Sequence, residues 1–241
     1  MNKKLTVILA GLFISVLSIA TISEAQTVKN GGLNDKQEKI VIIAAFTANG
    51  DLNKLKAALN EGLDAGLTVN EIKEVLVQMY AYAGFPRSLN GIGTFMSVME
   101  ERQKKGIKDE LGREASPLPP NKSRLELGTE IQTRLIGSPA SGAIYIFAPA
   151  IDAFLKHHLF GDIFGRDSLD FQSREIATIS ALASMEGVNP QLQAHVNIGF
   201  NTGLTEAQMK SLIFVLAAKV GKTEADNASV VLSRVLKGRT R

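Results

Sequence analysis

Apolar residues recur at three- and four-residue intervals along most of the chain, and alternation of period two is nowhere sustained. That is the pattern of helices with one buried face, not of strands. Past a polar, Gly-rich stretch at residues 26–32, which is expected to fray, Asn34 or Asp35 can cap a helix that aligns Glu38, Val41, Ile42 and Ala45 on one face. Gly50-Asp51 breaks it. A second helix puts Leu52, Leu55, Leu59 and Gly62 inside and stops at Gly66. Thr68 and Glu71 form a capping box for a third, whose stripe is Ile72, Val75, Leu76, Met79 and Ala83 and which Gly84-Phe85-Pro86 ends. A further helix is predicted over residues 87–104. Residues 104–122 are charged and then Pro-rich, as in a linker. Helices are predicted again over 125–136 and, with a break at Pro149, over 143–160, a strand being the alternative at 143–147.

The pattern then repeats. Glu175, Ile179 and Leu182 share a face; Asn189 and Pro190 are expected as N-cap and first residue of a helix that turns Leu192, His195, Ile198 and Gly199 inward. Thr205 and Gln208 make another capping box, and Met209, Leu212, Ile213, Leu216 and Val220 form the closing stripe. Residue n of the first copy corresponds to n + 137 of the second: Glu38 falls on Glu175, Gly50 on Gly187, Leu55 on Leu192, Gly66-Leu67-Thr68 on Gly203-Leu204-Thr205, and Gly84 on Gly221. An internal duplication of a helical unit follows. The expected organisation is a signal segment at 1–25, a first repeat at 33–104, a linker at 105–122 and a second repeat at 123–237.

Lys3 and Lys4 precede an apolar run at residues 5–20, and Ser23 and Ala25 have the small-residue spacing of a signal-peptidase site. The chain is therefore expected to be periplasmic or secreted from a bacterium, without stable membrane insertion after cleavage; the rival reading of the same run is an uncleaved membrane anchor, for which it is rather short. Cys is absent, so stability must come from packing or assembly, not from disulfides. The net charge of +3 is spread among acids and Trp is absent, which argues against a nucleic-acid surface. His157 and His158 adjoin but point in different directions, and no ligand set with metal spacing accompanies them. No cofactor is expected.

Taken in order, Ser173-Arg174-Glu175, Gln191-Leu192-Gln193-Ala194-His195 and Asn201-Thr202-Gly203-Leu204-Thr205, with Tyr82-Ala83-Gly84-Phe85-Pro86 closing the first repeat, resemble the carboxymuconolactone decarboxylase family within the wider AhpD-like superfamily. The resemblance implies an all-α fold of two tandem repeats and a homo-oligomer, with a trimer favoured for a fused pair. The superfamily's peroxidase branch uses a Cys-x-x-Cys pair before the His; without a thiolate that chemistry is closed. Ala58 stands in the first repeat where His195 stands in the second, so the first site reads as degenerate.

Glu175 heads an apolar stripe, where a desolvated carboxylate suits proton transfer, although a first-turn Glu can equally complement the helix dipole. His195 faces inward, either as a hydrogen-bonded core residue or as an acid–base group; Gly199, one turn on, is expected to leave space beside it for a ligand. With the resemblance, His195 and Glu175 become the candidate catalytic pair. Arg174 and Arg134 are the candidate cations for an acidic substrate, each also readable as a surface residue. The expected activity is cofactor-free decarboxylation, isomerisation or lyase cleavage of a small organic acid or lactone. The alternative is a binding or assembly module that has kept the fold and lost the chemistry.

Overall fold

The computed structural model describes residues 31–239; the signal segment expected at 1–25 lies outside them. Among the described residues the protein is all-α. Helix α1 (Asp35–Asn49) is capped by Asn34, whose side chain accepts from the Gln37 N–H while the Gln37 side chain accepts from the Asn34 N–H. Every residue from Ile40 to Ala48 is buried, not the single face that the spacing predicts. The reason is its partner: α9 (Phe171–Ala183), the equivalent helix of the second repeat, packs along it and is itself buried from Arg174 to Ala183. A helix enclosed on all sides has no need of a polar face.

Around this pair the remaining helices repeat in register. Helices α2 (Leu52–Asp64), α3 (Val69–Gln78) and α5 (Phe85–Lys104) start 137 positions before α10 (Asn189–Asn201), α11 (Glu206–Val215) and α12 (Lys222–Arg239). The short α4 (Tyr80–Ala83) answers to a π-helical segment, Leu216–Val220. The capping boxes predicted at Thr68/Glu71 and Thr205/Gln208 both form. Asn189, by contrast, is the first helical residue, and Val188 sits at the cap without a side-chain bond. Leu52, expected inside, is 37% exposed at the start of α2; the buried stripe there is Leu55, Ala58, Leu59, Gly62 and Leu63. Buried side chains from both repeats belong to one hydrophobic cluster.

Between the repeats, residues 107–119 are non-helical but tied down. The Val69 and Asn70 N–H groups donate to the carbonyls of Glu110 and Leu111. Buried Arg102 donates to Asp109 at 2.8–3.0 Å and to Asp64 at 2.8 Å. Helix α6 (Arg124–Ile136) follows, then α7 (Ala143–Phe147), α8 (Pro149–Phe154) and a second π-helical segment, Leu155–Ile163. Pro149 opens α8, so the expected break falls there. Helix α6 and the Leu155–Ile163 segment meet at backbone distance: a Cβ on Gly128 would collide with the Lys156 carbonyl oxygen. They enclose a smaller cluster of Leu135, Leu159, Phe160, Ile163, Phe164 and Ile198, against which Tyr80 and Tyr82 pack. No described helix is long and apolar enough to cross a membrane.

Candidate functional site

Glu175 lies one turn into α9 and His195 in the middle of α10, and the packing of these helices brings the two side chains together. His195 Nδ1 is 2.8 Å from Glu175 Oε2. Glu175 is fully buried and the His195 side chain is 10% exposed. With the carboxylate ionised, Nδ1 carries the hydrogen and donates it, leaving the lone pair of Nε2 for another partner. The other carboxylate oxygen, Glu175 Oε1, is enclosed and makes no hydrogen bond. An enclosed polar atom in that state costs on the order of 1–3 kcal/mol, so ligand or water in reach of it is stabilised.

A neighbour of the imidazole comes from the first repeat. The ring of Tyr82, in α4, meets the His195 imidazole edge-on, with centroids 5.2 Å apart and planes at 83°. Its hydroxyl is also enclosed and makes no hydrogen bond of full geometry, although the Thr178 hydroxyl is close enough to act on it. Burial first, and then the negative charge of Glu175, push this phenol well above its usual range, with the Thr178 hydroxyl and Arg174 only partly offsetting them. Tyr82 therefore remains a neutral O–H donor at any physiological pH. Sequence reading placed Tyr82 in a family element but gave it no role, because nothing local indicates that the end of one repeat reaches the centre of the other.

Arg174 is a correction. Expected to meet an acidic substrate, it is wholly buried, and its guanidinium is engaged within the protein. It donates to Gln78 Oε1 at 2.9 Å, to Glu74 Oε2 at 3.1 Å and to the Arg166 carbonyl at 2.8 Å. Burial lowers its pKa, against the opposing pull of Glu74. Glu74 in turn accepts from Arg166 at 2.5–3.1 Å. Burial alone would raise this carboxyl; the bonds from Arg166 and Arg174 outweigh it and hold the group below the usual carboxylate range. Gln78 completes the lattice by donating to the Arg174 carbonyl and to Thr178 Oγ1, both at 2.9 Å. Arg174 thus braces α3 against α9 one residue from the catalytic candidate.

Arg134 is exposed and lies over the Phe171 ring at 5.3 Å. It borders a groove of about 290 Å³ with Asp170, Phe171, Gln172, Asn201 and Thr202, and neither His195 nor Glu175 lines that groove. A larger cleft of about 570 Å³ at the start of α9 is bordered by Arg113, Arg166, Ser168 and Phe171, again without the pair. Nor does Gly199 leave room for a ligand: a Cβ there would stand 2.5 Å from Met209 Cε and 3.2 Å from Ile179 and Leu204. The glycine is present for close helix packing. Of the four residues singled out from sequence, the structure joins His195 to Glu175, buries Arg174 beneath them and leaves Arg134 apart.

A 4-carboxymuconolactone decarboxylase from Acinetobacter baylyi is 23% identical over 121 residues, covering 48% of this chain and 90% of that protein. An uncharacterized protein of Methanocaldococcus jannaschii, MJ1511, is 27% identical over 66 residues, covering 27% of this chain and 62% of its own length. The model of one family matches twice, at residues 19–93 and 149–233, which together exceed half of the sequence. By fold, duplication and these two matches, the chain belongs to the carboxymuconolactone decarboxylase family.

Proposed function

We propose that the protein is an exported acid–base catalyst of the second repeat, acting as a decarboxylase, lyase or isomerase on a small organic acid or lactone. The observation that carries this reading is the buried 2.8 Å contact between His195 and Glu175. An imidazole held by a carboxylate through Nδ1 presents Nε2 with a fixed direction, which is the arrangement a general base or acid requires. For a carbon acid, Nε2 takes the proton, the C–H electron pair moves onto the carbonyl oxygen as an enolate, and the imidazolium returns the proton to a different carbon. For a β-keto acid or carboxylactone, the C–C pair moves to the same oxygen as carbon dioxide leaves, and protonated His195 supplies the replacement hydrogen. A tethered second repeat alongside a first repeat with Ala58 in place of the imidazole gives one working site per chain. The proposed assembly is a homotrimer.

The relative named above motivates 4-carboxymuconolactone as the first substrate to test, followed by simple β-keto acids. His195→Ala and Glu175→Gln should each lower kcat by about 10²–10⁴-fold, the contribution of a positioned acid–base group. Turnover that survives both changes would remove the pair from the mechanism. The second reading, a binding or assembly module, draws on the small opening: only a tenth of the His195 side chain is exposed. It gains if the intact protein turns over none of these compounds.

A further inference from the structure

We infer that the Tyr82 hydroxyl, supplied by the first repeat, is the hydrogen-bond donor to the substrate oxygen in the site that His195 and Glu175 form in the second. The inference rests on the reading of that pair as the reactive centre and adds a third group to it. Its first support is placement. Tyr82 is the aromatic ring against the His195 imidazole, and its hydroxyl, with the Thr178 hydroxyl close by, and Glu175 Oε1 are two enclosed oxygens that make no full hydrogen bond within the folded chain. One is a donor and the other an acceptor. They are complementary to a molecule that carries an oxygen and a hydroxyl or acidic C–H at the same end.

The second support comes from the duplication, and it is independent of the first. Moving by 137 positions takes His195 to Ala58 and Tyr82 to Lys219. The structure sets those two counterparts together as well: Ala58 of α2 and Lys219 of the Leu216–Val220 segment line one cavity of about 150 Å³, with Ile42, Phe46, Lys54, Ala57 and Glu61. Each repeat therefore reaches across to the other's α2-type helix, and the relation is reciprocal. At the equivalent site centred on the first repeat the carboxylate is Glu38, Ala58 stands for the imidazole, and Lys219, from the second repeat, stands for the phenol. The site that has the imidazole also has the phenol, and the site without the imidazole has neither.

The chemistry fits the placement. Each reaction class open to the pair moves an electron pair onto a substrate oxygen. A neutral phenol directed at that oxygen stabilises the developing charge without first giving up its own proton, and burial keeps it in that state. The O–H bond is not broken: the transferred proton passes between carbon and His195, which in the decarboxylation branch takes it up from solvent.

Tyr82→Phe in the full chain tests this, since it keeps the ring against His195 and removes one oxygen. With a turned-over substrate, kcat should fall by about 10²–10³-fold, the effect of deleting one oxyanion donor, with KM changed little and the melting temperature held. The second arm needs no substrate. 4-Nitrophenolate, a stable oxyanion whose absorbance reports hydrogen bonding, should bind the wild type and bind Tyr82→Phe about tenfold more weakly, while Lys219→Gln, the counterpart position, changes nothing. Tyr82-dependent binding without turnover of any compound would retire the acid–base reading and leave Tyr82 as a ligand-binding group. Wild-type turnover or wild-type phenolate affinity in Tyr82→Phe, or no phenolate binding by the wild type, overturns the inference.

Discussion

A charge with no exposure at all needs its partners within the fold, and Arg174 shows how much depends on one carboxylate. Glu74 holds both Arg174 and Arg166. Removing one partner of a buried ion pair costs about 3–5 kcal/mol, because the remaining charge stays desolvated. Glu74→Ala is expected to lose that much in urea denaturation at neutral pH, and Glu74→Gln less, since its amide oxygen can still accept. The pH dependence has a definite sign. The Glu74 carboxyl sits below its ordinary range when folded, so the unfolded chain binds the proton first as pH falls. Its stabilisation is complete above the unfolded carboxylate value of about 4.3 and is lost as pH drops through the folded one. The Glu74→Gln protein should show a shallower loss of stability between about pH 5 and 3 than the wild type. Equal slopes would mean that this carboxylate does not carry the acid sensitivity.

At the level of helices, what could be read from sequence is what is decided locally. Capping boxes need four consecutive residues, and those at Thr68 and Thr205 form as predicted. The inward turn of His195 follows from its spacing with Leu192, Ile198 and Gly199, and it is buried. Contacts across the repeats leave no such local trace. The side-chain period of α9 says that Arg174 and Glu175 are adjacent, but only the packing of α3 onto α9 decides that Arg174 faces Glu74 and not water. The same holds for Tyr82, which is distant from His195 in sequence and adjacent to it in space. Glycines misled for a related reason: an absent side chain reads either as open space or as close approach. At Gly199 it is close approach. Gly199→Ala is expected to cost about 1–3 kcal/mol through overpacking against Met209, Ile179 and Leu204. Gly128→Ala should cost more, because the obstruction is the Lys156 carbonyl, backbone that cannot swing aside, and α6 must lift from the Leu155–Ile163 segment. Thermal melts that rank Gly128→Ala above Gly199→Ala in stability would contradict the packing described.

For the molecule as a whole, the two ends of the chain's chemistry pull in different directions. One core unites the repeats, yet α7 and α8 stand away from it with Ile144 64%, Ile146 83%, Phe147 91% and Phe154 67% exposed. Phe85 and Leu89, at the start of α5, are exposed to 63% and 61%. Monomeric proteins in water rarely present a run of large apolar side chains of this kind, since each one buried contributes about 1.5–3 kcal/mol. A chain without cysteine has no disulfide with which to offset such exposure. Association of copies through the α7–α8 arm is therefore the expected state, and it accords with the proposed trimer. Light scattering should give about three times the protomer mass for the wild type. Ile146→Asp combined with Phe147→Asp should shift that mass toward the protomer while helicity by circular dichroism is retained, because neither side chain belongs to the core. If the double variant keeps the wild-type mass, the arm is not the contact; if the wild type is already a monomer at micromolar concentration, the trimer falls and the arm's apolar face must serve another end.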